Sequence, residues 1–140
     1  MSPPTQLSLH AAQAILDNNF APWVRALDLT VTEFSAEAAT LHMPLGAHLE
    51  RVGGIVSGQA LAALADTAMV LAALAHAGEM RMFATTDLHT QFLRPGRGSA
   101  ILCRAEVIRA GKSLVFTRAE MREETSGKMI STATATFYAP

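Results

Sequence analysis

Ser57-Gly-Gln-Ala-Leu-Ala-Ala-Leu-Ala-Asp-Thr-Ala-Met-Val-Leu-Ala-Ala-Leu-Ala-His-Ala-Gly78 is the stretch that decides the fold. Strong helix formers fill it throughout, a Ser stands where an N-cap side chain is needed, and a Gly stands at the C-terminal stop. The pattern predicts one helix of about five turns. Apolar residues occur nearly all round it, so it must be covered on most faces, and its many alanines let a sheet approach its backbone closely.

Downstream, the period changes to two. Phe83 to Leu93 alternates loosely and stops at Arg94-Pro95-Gly96, and Ala100 to Ile108 places Ile101, Cys103, Ala105 and Val107 on one face. Arg109-Ala-Gly-Lys112 turns the chain into Ser113 to Arg122, and Thr125-Ser-Gly-Lys128 turns it again into Met129 to Tyr138. These four strands read as an antiparallel meander. Upstream, Leu27, Leu29 and Val31 and then Leu41 and Met43 predict an antiparallel pair turning near Ser35 to Glu37, followed by a loop from Pro44 to Gly54. Leu9 to Phe20 reads as a short amphipathic helix with Ala12, Ile15 and Leu16 on one side, broken by Pro22. One apolar helix and a set of strands with no second layer can bury both surfaces only if the sheet curls round the helix. We therefore expect an α+β domain over residues 21–140, with residues 1–20 a leader and short helix.

The composition excludes several classes. In 140 residues, half are apolar, 16% are charged, and 11 Lys and Arg stand against 12 Asp and Glu, a formal charge of −1. Such a balance offers no broad basic field for nucleic acid or an anionic membrane. The run Val52 to Ala65, half of it Ala and Gly, is expected to be too short and too weakly apolar to span a bilayer. A lone Cys103 forms no intrachain disulfide, and the start MSPPTQLSLH lacks the basic and apolar regions of a signal peptide, which together predict a cytoplasmic protein.

Asp66 is the only formally charged residue between Arg51 and Glu79. An uncompensated carboxylate inside a buried helix costs several kcal/mol. Either Thr67 or a neighbouring strand satisfies it, or it reaches an exposed edge, or it is a catalytic acid. For the third reading the helix start offers the complementary group: Gly53, Gly54 and Gly58 expose backbone where free N–H groups and the positive dipole end favour an oxyanion, with Gly58 N–H the preferred donor. Gly58 and Asp66 are eight positions apart, about 12 Å along one helix. Groups acting on one carbonyl lie about 3 Å from it, so if both act together they come from different chains, as in a two-fold dimer with antiparallel helices.

Other constellations are weaker. His76 and Glu79 have the spacing of a metal pair but no second cluster, so no metal is expected. Ser57 lacks the Gly-x-Ser-x-Gly spacing of a nucleophile elbow and suits an N-cap. His42 and His89 sit in strand-like segments and read as structural or surface residues. Gly53-Gly54 lacks the Lys and spacing of a phosphate loop.

Gly53 to Met69, followed by Thr85-Thr-Asp87, Phe92-Leu-Arg-Pro95 and Gly111-Lys-Ser-Leu-Val-Phe116, resembles the hotdog-fold acyl-CoA thioesterases of the phenylacetate-pathway (PaaI-like) type. The resemblance implies a homodimer, often paired into a tetramer, with sites at the dimer interface, an acyl thioester of coenzyme A as substrate and no cofactor. It places the family's acid on Asp66 and its oxyanion glycine on Gly58. The family's His-Gly-Gly reads Ser57, Gly58 and Gln59 here, its upstream Asn falls on Arg51, and a Ser/Thr facing the acid falls on Thr85. For the coenzyme, Arg94 and Arg97 or Arg109 and Lys112 are candidate phosphate donors, while Phe83, Phe92, Met69 and Met82 are candidate linings of an acyl tunnel. The rival from another class is a catalytically slow hotdog dimer that senses or sequesters acyl-CoA. Hydration or dehydration of enoyl thioesters is a third, weaker reading because no His/acid pair is evident.

Overall fold

The computed structural model describes residues 7–140, so most of the expected leader lies outside the described residues. Helix α1 runs Leu9–Asn19, capped by Ser8, whose Oγ accepts from Ala11 N at 3.0 Å. Ala12 and Leu16 are buried, four residues apart on one face. Gln13, on the other side, is a tie rather than a solvated side chain: its amide donates to Leu29 O at 3.1 Å and accepts from Val31 N at 2.8 Å. Pro22 ends α1 and also opens a one-turn helix α2, Pro22–Arg25, at the position where a missing N–H costs nothing.

The strands are β1 Thr30–Phe34, β2 Ala39–Pro44, β3 Glu50–Arg51, β4 Ile55–Val56, β5 Ala84–Phe92, β6 Ala100–Ala110, β7 Leu114–Glu123 and β8 Met129–Tyr138. Six of them form one antiparallel sheet in the order β1-β2-β6-β7-β8-β5. Strands β6, β7 and β8 form the expected meander. Strand β5 departs from it, pairing with β8 at the sheet edge rather than lying beside β6. The connection from β5 crosses the end of the sheet beneath β4: Val56 N donates to Gly96 O at 3.1 Å, and a Cβ at Gly96 would lie 2.7 Å from both Ile130 and Val56 side chains. Only a residue without a side chain fits that crossing unstrained.

Helix α3, Gly58–Ala77, has the predicted ends. Ser57 Oγ accepts from Ala60 N at 3.2 Å, and Gly78 takes the left-handed conformation at φ 74°. The helix packs chiefly against β6, β7 and β2, where Cys103, Ala105, Ala119 and Met121 turn their buried face toward it. Two hydroxyls within the sheet core are satisfied by main-chain carbonyls, Thr117 by Ala135 O at 2.9 Å and Ser131 by Gln91 O at 2.8 Å. By length and composition alone α3 as a whole would pass for a membrane span, although the run Val52 to Ala65 is too short to do so. It is the core helix, with 67% of that apolar window buried in the domain.

The expected loop Pro44 to Gly54 contains more order than its composition suggested. A 3-10 turn, Ala47–Leu49, leads into the two-residue hairpin β3–β4. Gly53 at φ 102° and Gly54 at φ 70° make its turn, a conformation that other residues rarely adopt.

Candidate active site

Asp66 is half-buried on α3, between buried Ala65 and Thr67. The Thr67 hydroxyl bonds back to Ala63 O at 2.8 Å within the helix. It is the strand that reaches the acid: Thr85 Oγ1 donates to Asp66 Oδ1 at 2.9 Å. Thr85 stands opposite Phe137 of β8, hence on the helix side of the sheet, just before a bulge in β5. Burial pushes the Asp66 carboxyl above the usual carboxylate range, and the Thr85 hydrogen bond pulls part of the way back. A proton-avid carboxylate with one hydrogen-bond donor is suited to general-base or nucleophilic work.

Asp66 and Thr85 line a cavity of about 240 Å³ with residues of α1, α3 and the segment before β5. Ile15 and Asn19 of α1, and Phe20 just after it, were not read from the sequence as part of a site. Nothing in their spacing signals it, because the contact spans about fifty positions of chain. Of the four residues named as candidate tunnel linings, Met82 and Phe83 line this cavity, whereas Met69 is fully buried in the core.

Gly58 opens onto a different hollow of about 430 Å³, shared with Arg51, Arg94 and Phe92. As the first residue of α3 it has no intrahelical partner for its N–H, and none occurs among the described residues. The Phe92 ring lies over it, since a Cβ at Gly58 would sit 3.2 Å from Phe92 Cζ. Gly53 and Gly54 do other work: they shape the hairpin turn, and Gly54 N–H is taken by Arg51 O at 3.2 Å. Ser57 is occupied as the N-cap, and Gln59 faces a third hollow beside Trp23 and His48.

The basic residues divide. Arg51 and Arg94 share the Gly58 hollow, and among the described residues neither guanidinium has a salt-bridge partner or hydrogen bond. Arg97 is tied down, its N–H donating to the Glu123 carboxylate at 2.9 Å and Nη1 to Gly53 O at 3.5 Å. Arg109 and Lys112 flank the β6–β7 turn at the opposite end of the sheet, beside Tyr138 and Ala84, so within one protomer the two pairs lie apart. Among the described residues no group of three or more His, Cys, Asp or Glu could hold a metal, and His42 pairs with Glu124 at 3.5 Å.

A long helix held in one curved antiparallel sheet, with an acid in mid-helix, is matched by the sequence model of the thioesterase superfamily over residues 53–130. The chain belongs to the thioesterase superfamily. Its architecture is the hotdog fold. A protein of Thermoplasma acidophilum, provisionally described as an esterase, is 25% identical over 116 residues, covering 83% of this chain and 86% of that protein. Among solved structures, a conserved protein of Pseudomonas aeruginosa is 26% identical with a TM-score of 0.80, covering 86% of this chain and 95% of that one. A thioesterase of Haemophilus influenzae superposes with a TM-score of 0.84 at 22% identity, over 95% of this chain and 90% of that one. Membership of this superfamily supports hydrolysis of a thioester.

Proposed function

We propose that this superfamily member is an acyl-CoA thioesterase of the PaaI-like type, working as a homodimer without a cofactor. The observation that carries the reading is the proton-avid Asp66 carboxylate, bonded by Thr85 in one cavity, on the same helix as the unpaired Gly58 N–H in another. Gly58 N–H polarises the thioester carbonyl and stabilises the tetrahedral oxyanion. Asp66 either takes a proton from the attacking water or attacks the carbonyl itself, giving a mixed anhydride that water then opens. In both routes the C–S bond breaks and coenzyme A leaves as a thiolate, which needs no strong general acid. That suits a site in which Ser57 and Arg51 stand where the resembling family has His and Asn.

The edge strand supports the dimer reading. Every residue of β5 except the half-buried Thr90 is exposed, and one of its edges is unpaired in the protomer. If two copies pair antiparallel along β5, the Thr85 end of one strand meets the Phe92 end of the other. Asp66 then approaches Gly58 of the partner subunit, as the 12 Å helical separation requires. Arg51 and Arg94 beside that glycine are positioned to meet a coenzyme A phosphate.

The test is a panel of short, medium, long and aryl acyl-CoA thioesters, detecting free thiol, with Asp66→Ala as control. Turnover that disappears in a folded Asp66→Ala protein is expected, and a fully active variant overturns the reading. Saturable binding without turnover would make the chain a non-catalytic acyl-CoA binder, with the changes at Arg51, Ser57 and Gln59 as the reason.

A further inference from the structure

The outer face of the sheet, turned away from α3, is charged over much of its length and pairs within itself. Arg104 meets Glu33 at 3.1 Å and Glu106 at 3.5 Å, Arg118 meets Glu106, and Arg122 meets Glu120 at 3.6 Å. At the β6–β7 turn that face becomes apolar. Val115 and Phe137 are buried on the helix side, so Leu114, Phe116 and Tyr138, which alternate with them, point outward. Leu114 stands opposite Tyr138, and Phe116 opposite Thr136. The β6 register shifts between Val107 and Arg109, and such a bulge sets two residues against one, here Ile108 and Arg109 against Phe116. Ile108, Leu114, Phe116 and Tyr138 are 36% to 55% exposed and contiguous across β6, β7 and β8. Arg109 and Lys112 rim this corner, and among the described residues neither has an ion-pair partner. Of the bordering acids, Glu106 is engaged by Arg104 and Arg118, and Asp87 stands beyond Thr136 on β5.

An apolar corner edged by unpaired cations complements an acidic amphipathic helix, whose apolar side chains cover the corner while its carboxylates meet Arg109 and Lys112. Its place on the molecule identifies the bearer of that helix. Tyr138 is flanked by Ala84 of β5, and the next residue, Thr85, donates to Asp66. Phe116 lies two strand spacings from β5, about 10 Å, and the helix layer lies about 10 Å behind the sheet, so the corner is about 14 Å from the acid. A phosphopantetheine arm of about fourteen bonds, at roughly 1.2 Å per bond, spans about 17 Å. Coenzyme A holds that arm on a nucleotide, whereas a carrier protein holds it on a small acidic helical body. We propose that the corner docks an acidic carrier protein, so that the chain also takes thioesters borne on the carrier's arm. By the general-base route, water supplies the hydroxyl of the released acid and gives its proton to Asp66. The C–S bond breaks, and its electron pair leaves on the carrier's sulfur. This delivery rests on Asp66 acting at the thioester; the docking does not. The corner lies two strands from the β5 edge assigned to the dimer and stays open when β5 pairs.

The test takes the acyl group released fastest from coenzyme A and compares its kcat/KM on a bacterial acyl carrier protein, on coenzyme A and on pantetheine, for the wild type, Ile108→Glu and Phe116→Glu. Fluorescence anisotropy of the labelled holo carrier measures binding to the wild type, to both variants and to Lys112→Glu, at low and high salt, and light scattering gives the mass of each protein. We expect the wild type to prefer the carrier thioester over the pantetheine thioester at least tenfold in kcat/KM. Ile108→Glu and Phe116→Glu each remove that preference and the carrier binding, and leave the pantetheine thioester within twofold of the wild type. Lys112→Glu weakens carrier binding at least threefold and flattens its salt dependence, as an interface steered by exposed charges requires. A carrier thioester no better than the pantetheine one, or a preference that survives both corner variants, overturns the proposal. So does a lower mass for Phe116→Glu, which makes the corner a contact between copies; Ile108→Glu decides if Phe116→Glu does not fold. Turnover of acyl-CoA without carrier binding removes the docking and leaves the thioesterase. Carrier binding that both corner variants abolish, with no turnover of any thioester, retains the docking and removes the hydrolysis.

Discussion

Replacing Asp66 by Asn should move stability and activity in opposite directions. The two side chains have the same shape, and Asn keeps the Oδ1 that accepts from Thr85 Oγ1 at 2.9 Å. What disappears is the charge, which burial holds at a disadvantage: the folded carboxyl binds its proton more tightly than the ordinary value of 3.8. Between those two values the folded state holds more protons than the unfolded one, so stability falls as pH rises through that interval and stays lower above it. The Asn variant escapes that loss. A carboxylate this open to solvent is partly screened, so the gain is about 0.5–1 kcal/mol rather than the several kcal/mol of a fully buried charge. For a domain of this size that is about 1–4 °C in Tm. Thermal melts of both proteins at pH 8 and at pH 4 measure it, alongside thioester turnover at pH 8. We expect a higher Tm at pH 8, a difference that shrinks toward zero at pH 4, and turnover reduced at least a hundredfold, as befits removal of a base or nucleophile. An Asn variant that is less stable at pH 8, or more stable by the same amount at both pH values, refutes the reasoning about the buried charge. One that retains full turnover refutes the role of the acid.

Three further outcomes are expected. Thr85→Val removes the donor that holds the Asp66 proton affinity down, so the acid limb of the kcat/KM profile shifts to higher pH and Thr85→Ser restores it; a uniform loss at every pH would argue for a packing role instead. Gly96→Ala presses a methyl within 2.7 Å of Ile130 and Val56 and should cost about 1–3 kcal/mol, read as a lower urea midpoint at unchanged slope. Arg94→Ala should raise KM for an acyl-CoA more than for the same acyl group on a truncated thiol, since only the former carries phosphates; equal effects would separate Arg94 from the coenzyme.

Much of the fold was legible because it is local. The caps of α3, Ser57 and Gly78, are settled by groups within four residues, and the inward faces of β6, β7 and β8 follow from a period of two. The position of β5 was not legible. An edge strand and a central strand share the same alternation, and β5 pairs with β8 while the chain that leaves it is tied to Val56 at Gly96, contacts across some forty positions or more. The same holds for the α1 residues that close the Asp66 cavity, which are distant in sequence and unremarked by spacing.

The sequence by itself determined that an acid would lie inside an apolar helix, that Gly58 would present a free N–H at its start, and that the two could not serve one carbonyl from a single chain. Those conclusions need only helical propensity, the orphan donors of a helix end and a rise of 1.5 Å per residue. Only the tertiary structure decided what surrounds the acid. Its partner is Thr85 rather than Thr67, its cavity is walled by α1 and Phe83, and of the basic residues only Arg51 and Arg94 gather beside Gly58. Each of these depends on which distant segments meet when a curled sheet closes over a helix, and burial and neighbours, not residue type, set how tightly a carboxylate holds its proton.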